Sequence, residues 1–459
     1  MALRAPELLA PAGSLAMLLT AFAFGATAIY AGQPRYSLRV RNNDFGDLAV
    51  LQQGIEHAHG LGHKFFLVSN IFPHGNKIKS YVQNMAPVIA LKPDAMIMSD
   101  PGLIMMVRET WPEMEIHLSV QANTVNAAAV RFWKSVGISR VILSRELSLD
   151  QVEQIRQDCP DTELEVFVHG ALCIAYSGRC LLSGYFNHRD ANQGSCTNSC
   201  RWDYKTQPGV VDASGDILAP KEAADRVHEL VRDQVYLIEE GQRPGSYMPI
   251  EEDEHGTYVM NSKDLRAIEH VRRLVEIGVD SLKIEGRTKS PYYVARTVQS
   301  YRRAIDDAVA GRELNPALLG QLEGLANRGY TSGFFQRHTP QETQNYLRGY
   351  SESGRSLYVG DVLSFDATRG LAEVRVRNRF AVGDWLEIIH PQGNRDVQLT
   401  AMENIEGQHM TVAPGSGHVV WLPLPASDIG AFVARYVALQ PGQTPRDAPQ
   451  PLEAPMAGA

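Results

Sequence analysis

The chain has 459 residues, of which 44% are hydrophobic and 21% charged, and its formal net charge is −8 at pH 7. That length supports about two domains with a large shared or separate core. The acidic balance excludes a surface that is basic all over, so any RNA partner must be met by a local patch of Lys and Arg. No apolar run reaches the roughly 18 residues of a membrane span, and LAMLLTAFAFGATAIYAG reads instead as a buried helix followed by a strand.

Short apolar strands are predicted at 8–10, 28–31, 64–69, 95–99, 116–120, 140–143, 164–168 and 281–284. Helical patterns lie between them, for example at 14–24, 83–90, 127–136, 149–157 and 265–277. Alternation of this kind demands parallel strands joined by crossover helices. Eight strands suit a closed TIM-like (β/α)8 barrel over 1–340. An open doubly wound sheet is the alternative, and it lacks the G-x-G-x-x-G turn of a dinucleotide-binding version. Polar residues follow the strands: Gly32, Asn70, Ser99, Asp100, Gln121, Ser144, Arg145, His169, Gly170, Glu285, Gly286 and Arg287. In a barrel these positions converge on one mouth, although loops begin with polar residues in any fold.

Directly after the seventh strand comes HGALCIAYSGRCLLSGYFNHRDANQGSCTNSCRW. It holds Cys173, Cys180, Cys196 and Cys200, four of the five cysteines, spaced C-x6-C-x15-C-x3-C. The opening MALRAPELLAPAG has no secretory pattern, so a reducing, cytoplasmic setting is expected, and clustered thiols there bind metal or do redox chemistry. The spacing suits an iron–sulfur cluster better than the short knuckles of structural zinc; zinc, redox pairs and free thiols remain as alternatives. Cys159, in RQDCPDTE, reads as an incidental loop thiol. His169 is the one histidine of EVFVHGALCIAYSGRC, either a proton donor or a buried, satisfied ring, and Tyr176 carries the same two readings.

A stretch of low periodicity, 206–257, reads as a substrate-binding insertion next to the cysteine-bearing segment 170–205. A long helix is predicted at 292–310. From 355 to 438 the texture changes to short strands with turn signals, which predicts a small antiparallel β-barrel domain. In it, Arg375, Arg377 and Arg379 alternate with Val374, Val376 and Asn378, a pattern that puts three cations on one strand face, either as a phosphate track or as edge protection. The Pro- and Gly-rich tail, 439–459, reads as disordered. A chain ending near 353 is expected to keep the barrel, because the cysteines lie well before that point.

Cations also cluster at strand ends. QPRYSLRVRNNDF supplies Arg35, Arg39 and Arg41 beside Tyr36, and Arg145, Lys263, Lys283 and Arg287 follow other strands. Singly, each is most simply a surface or ion-paired charge; together at one mouth they fit an anionic substrate.

EVFVHGALCIAYSGRC resembles the signature of the collagenase-like peptidases, peptidase family U-32. ELLAPAG, NSKDL and SLKIEGR resemble further motifs of that family, as do QPRYSLRVRNNDF, SDPGLIM and SVQAN, in the same order along essentially the whole chain. The resemblance implies an RNA-modifying enzyme more than a protease. Members of this kind hydroxylate C5 of the wobble uridine of tRNA to 5-hydroxyuridine, or a cytidine of ribosomal RNA, and others take part in ubiquinone synthesis. It implies a 4Fe-4S cluster on Cys173, Cys180, Cys196 and Cys200, prephenate or a similar dicarboxylate as co-substrate, and a tRNA anticodon loop as partner, with no membrane. Such chemistry needs an unpaired base in a pocket and guanidinium groups for the dicarboxylate. The alternative is a peptidase with zinc or a thiol, for which HExxH and G-x-S-x-G are both missing. A non-catalytic RNA-binding module is a weaker third reading.

Overall fold

The computed structural model describes residues 3–38, 43–172, 263–325, 329–336 and 356–437, together with the backbone of short strands between 210 and 258. Its centre is a closed barrel of eight parallel strands: β1 (Glu7–Pro11), β2 (Ala28–Gly32), β3 (Lys64–Ser69), β4 (Ala95–Met98), β5 (Ile116–Leu118), β6 (Arg140–Ile142), β7 (Glu163–Ala171) and β8 (Ser281–Ile284). Each pairs in parallel with the next, β8 pairs with β7, and β1 closes the ring on β8 with Leu8 opposite Leu282. All eight predicted strands are therefore present and the barrel is closed.

Six of the described helices begin at a side chain that accepts an orphan backbone N–H. α1 (Leu15–Ala23) is capped by Ser14, α2 (Leu48–Gly60) by Asp47, and α3 (Asn76–Lys79) leads into α4 (Tyr81–Ile89). α5 (Pro101–Thr110) starts at Asp100 with Pro in its first turn, α6 (Ala127–Ser135) at Asn126, and α7 (Leu149–Asp158) at a Ser148–Gln151 capping box. Of the helix expected at 265–277, Ile268–His270 forms a 3-10 turn and Val271–Ile277 is α-helical, as α8. Asp264–Arg266 is a short strand antiparallel to the end of β7, with Leu265 opposite Gly170. There the β7 edge offers ladder hydrogen bonds that outweigh helix propensity. α9 (Pro291–Val309), capped by Ser290, is the long predicted helix.

The second domain is antiparallel, as expected. Its six-stranded sheet runs 393–398, 385–390, 432–436, 356–366, 371–376 and 419–422 in spatial order, with a two-stranded ladder beside it. Val374 and Val376 are fully buried and Arg375 is exposed, so the predicted alternation holds as far as Val376. Arg377 lies beyond the strand and is bound to Asp361 at 2.7 Å.

The two domains share an apolar cluster. Ile389, Phe432 and Ala434 belong to the barrel's core, and Tyr292 of α9 stacks on Tyr358 with ring centroids 4.5 Å apart. Buried Arg296 of α9 is held by both carboxylate oxygens of Glu387, and Gln299 donates to the His390 carbonyl at 2.9 Å. Among the described residues no helix is long and apolar enough to cross a membrane.

Candidate active site

The C-terminal ends of the barrel strands build one mouth. Strand β8 supplies Glu285 and Arg287 just past its end, and β6 supplies Ser144 and Arg145. The Arg145 guanidinium lies over the Phe167 ring, 3.9 Å from its centroid, and pairs with Glu285 at 3.6 Å. Arg287 is 7% exposed, donates to Ser37 Oγ at 2.6 Å and lies 5.7 Å from the Tyr30 ring centroid. Tyr30 Oη donates to the Ile284 carbonyl at 2.8 Å. Gly32 at the end of β2 makes this possible: a Cβ there would sit 2.2 Å from the Arg287 guanidinium. Two guanidinium groups and one carboxylate, largely shielded from water, stand together at the mouth, and guanidinium groups are the side chains suited to clamping a small anion.

The adjoining lip is polar. Asn70 donates to Ser119 Oγ at 3.2 Å and accepts from the Leu38 amide at 3.2 Å. Gln121 Oε1 and Thr124 Oγ1 are buried without a hydrogen-bond partner, an uncommon condition for interior oxygens.

Lys283 is not at the mouth. It is a barrel-interior residue whose Nζ binds Glu165 at 2.7 Å and lies 4.3 Å from the Tyr30 ring centroid. Burial lowers its pKa, and Glu165 offsets part of that. Below it, Arg140 binds Glu7 at 2.6 Å, Glu163 at 2.7 Å and Glu165 at 3.2 Å. Burial alone would lower the Arg140 pKa, but these carboxylates more than compensate and raise it. This ionic floor was not anticipated from the sequence. Its signal was Arg and Glu standing inside otherwise apolar strands.

His169 is packed rather than presented. Its ring has Tyr293, Tyr301 and Tyr330 at centroid distances of 5.9, 5.5 and 5.5 Å, and Nδ1 lies 3.4 Å from Tyr301 Oη. Burial, reinforced by Arg266 and Lys289, lowers its pKa to about 3, so the ring is neutral near pH 7. A neutral, enclosed imidazole favours the structural alternative over proton donation. Gly170 beside it has φ +111°, and a Cβ there would come within 2.6 Å of the Glu285 carbonyl. The glycine thus lets β7 and the β8 mouth segment touch.

Arg35 is exposed on the rim and donates to Ser80 Oγ at 3.2 Å. Lys263 is half-buried against Gly329 and immediately precedes the short strand that lies along β7. Cys173, Cys180, Cys196, Cys200, Tyr176, Arg39 and Arg41 lie outside the described residues, as do the side chains of the 206–257 insertion and the 439–459 tail. Cys159 is buried, its thiol 3.6 Å from the Ala127 carbonyl. Among the described residues, no group of three or more His, Cys, Asp and Glu is arranged to hold a metal ion.

A closed parallel barrel with cations gathered at its mouth, joined to an antiparallel sheet domain, defines the class. The model of Peptidase family U32 matches residues 13–345, and that of the Peptidase family U32 C-terminal domain matches residues 355–433. The chain belongs to peptidase family U32. It is 58% identical over 427 residues to tRNA hydroxylation protein P of Escherichia coli (strain K12), covering 92% of this chain and 94% of that protein. It is 55% identical to the tRNA hydroxylation protein P of Haemophilus influenzae, covering 92% and 93%. The 23S rRNA 5-hydroxycytidine C2501 synthase of Escherichia coli is 28% identical over 79% of this chain and 47% of that protein.

Proposed function

We propose that the protein is a tRNA hydroxylase that converts the wobble uridine of the anticodon loop to 5-hydroxyuridine. The observation that carries this is 58% identity, over more than nine-tenths of both chains, to a tRNA hydroxylation protein. A tRNA substrate also implies a cytoplasmic location.

Hydroxylation at C5 replaces C–H by C–OH, a two-electron oxidation of the base, so the co-substrate that gives up its oxygen must itself be reduced by two electrons. A flipped anticodon-loop base can reach a pocket because it is already unpaired. Arg145 and Arg287 are the residues to hold a dicarboxylate such as prephenate, the co-substrate this reading assigns as source of the hydroxyl. Both guanidinium groups are already fixed, by Phe167 and Glu285 and by Ser37, so little ordering is left to be done on binding. Lys263, Arg39 and Arg41 are further candidates for the same anionic substrates. Tyr176, three residues after Cys173, is the further candidate for a catalytic role.

Cys173, Cys180, Cys196 and Cys200 are the ligands assigned to a 4Fe-4S cluster. Four thiols fit that group, and the segment begins two residues after β7 ends at Ala171. A cluster bound by these four residues would supply redox chemistry. The family's peptidase label finds no matching nucleophile–base pair in Cys159 and His169: the first bonds a backbone carbonyl and the second is enclosed by tyrosines.

The test is reconstitution. Protein purified without air should be brown, contain about four irons per chain, and yield 5-hydroxyuridine from unmodified tRNA when prephenate is added. Colourless, zinc-containing protein that cleaves peptides would replace this reading with the peptidase one.

A further inference from the structure

Two tiers of cations face the mouth, and they differ in burial and in partners. The inner tier, buried Arg287 and partly buried Arg145, is tied to mouth residues. The outer tier lies on the loop that follows β2, which carries Arg35, and on α3 after β3, which carries Lys77 and Lys79. Arg35 and Lys79 are exposed and Lys77 is half-exposed. Among the described residues none of the three has a carboxylate partner, whereas fourteen arginines are ion-paired, among them Arg140, Arg156, Arg272 and Arg296. Arg35 also depresses the Lys77 pKa, after burial, with no acid acting in the opposite sense. Unbalanced like charges held together in a protein of net charge −8 need a reason.

The segments that carry Arg35 and Lys77 are tied to each other. Tyr36 is fully buried and packs edge-on against Tyr81, with ring centroids 4.8 Å apart. Its hydroxyl accepts from Asn84 Nδ2 at 2.7 Å and donates to the Lys77 carbonyl at 3.4 Å. The Ile71 amide donates to the Tyr36 carbonyl at 3.2 Å, and the Arg35 amide to Gln33 Oε1 at 2.7 Å. One tyrosine therefore locks the β2 loop to the β3 loop and fixes the backbones of Arg35 and Lys77 side by side. Ser37, two residues from Arg35, holds Arg287, so the two tiers share a loop.

We propose that Arg35, Lys77 and Lys79 form an outer rim that grips the RNA phosphate backbone, separate from the inner Arg145–Arg287 pocket for the small anion. This rests on the tRNA reading above and reassigns Arg35 from the small-anion set to the backbone. Exposed cations of both types, presented on a fixed base, suit a repeating anion that arrives from solvent. A small dicarboxylate requires the enclosed, bidentate geometry of the inner tier.

The experiment uses the full-length, cluster-containing protein and labelled tRNA, with affinity measured across roughly 50–200 mM salt. Replacing Arg35, Lys77 and Lys79 together by Ala should weaken tRNA binding at least tenfold. It should also flatten the salt dependence by about 0.7–0.9 in log–log slope per cation removed. Arg35→Lys should keep most of the binding, since a phosphate accepts either cation, whereas a bidentate carboxylate site would not tolerate the change. Lys92→Gln, an exposed lysine before β4 on the opposite face, should leave affinity unchanged. An unchanged slope in the triple variant, an equal loss in Lys92→Gln, or equal displacement by polyglutamate would overturn the rim. Wild-type protein that neither binds nor hydroxylates tRNA would overturn the tRNA reading itself, and the rim with it.

Discussion

Lys283 and Arg287 stand four residues apart, and the barrel gives them different work. Lys283 points inward to Glu165, whereas Arg287 stands at the mouth on Ser37. The sequence placed both at a strand end, but only the barrel's interior could show which one is consumed by a buried partner. Arg287→Ala should therefore weaken use of the small anion by about 1.5–3 kcal/mol, read as a rise in its KM, while the thermal midpoint moves little. At the cysteines, Cys173→Ser, Cys180→Ser, Cys196→Ser or Cys200→Ser should each remove most iron and most activity, because a hard alkoxide replaces a soft thiolate. Cys159→Ser should remove neither, and iron loss in that variant would redraw the ligand set. His169 makes a pH prediction. Its pKa falls from 6.5 to about 3 on folding, so its neutral form stabilises the fold above pH 6.5. As pH falls from 6.5 toward 3 the unfolded chain takes up a proton that the native ring does not, and that contribution is lost at about 1.4 kcal/mol per pH unit. Denaturant titrations should show a shallower acid decline in His169→Phe; an identical decline would mean the ring titrates freely.

Among the elements, α9 is decisive because it has two working faces. Tyr293 and Tyr301 hold the mouth side, donating to the Glu285 carbonyl at 2.9 Å and the Val168 carbonyl at 2.7 Å. Tyr292, Arg296 and Gln299 hold the second domain. The helix itself was legible in the sequence, at 292–310; its partners about 90 to 130 residues away were not, because nothing local encodes them. The same limit explains 265–277, whose first turn is claimed by the β7 edge. Gly170 is the point where two elements cannot separate. Gly170→Ala would force a side chain into φ +111° and against the Glu285 carbonyl, which should cost about 1–3 kcal/mol and lower the denaturation midpoint. A neutral effect would mean that the β7–β8 contact yields easily.

At the scale of the whole molecule, the eight strands and the change of texture near 355 were readable because strand–helix alternation is a local pattern. The ionic floor and the domain interface were not, since each joins residues distant in the chain. That interface revises the expected behaviour of a chain ending near 353. Such a chain would uncover Tyr292 and leave buried Arg296 without Glu387. Breaking a buried pair by removing one partner costs about 3–5 kcal/mol. The shortened barrel should therefore unfold at clearly lower denaturant than the full chain, and equal midpoints would show the domains to be independent. The triple-arginine track also shrinks, because Arg377 is bound to Asp361 and only Arg375 and Arg379 stay available for phosphate.

The most direct measurement is nucleoside mass spectrometry of tRNA from a strain that lacks this protein and any second copy of its activity. The account predicts that 5-hydroxyuridine and the 5-oxyacetic acid derivative built on it disappear, that the intact gene restores them, and that a Cys196→Ser gene does not. Unaltered levels of both nucleosides in the deleted strain would contradict it.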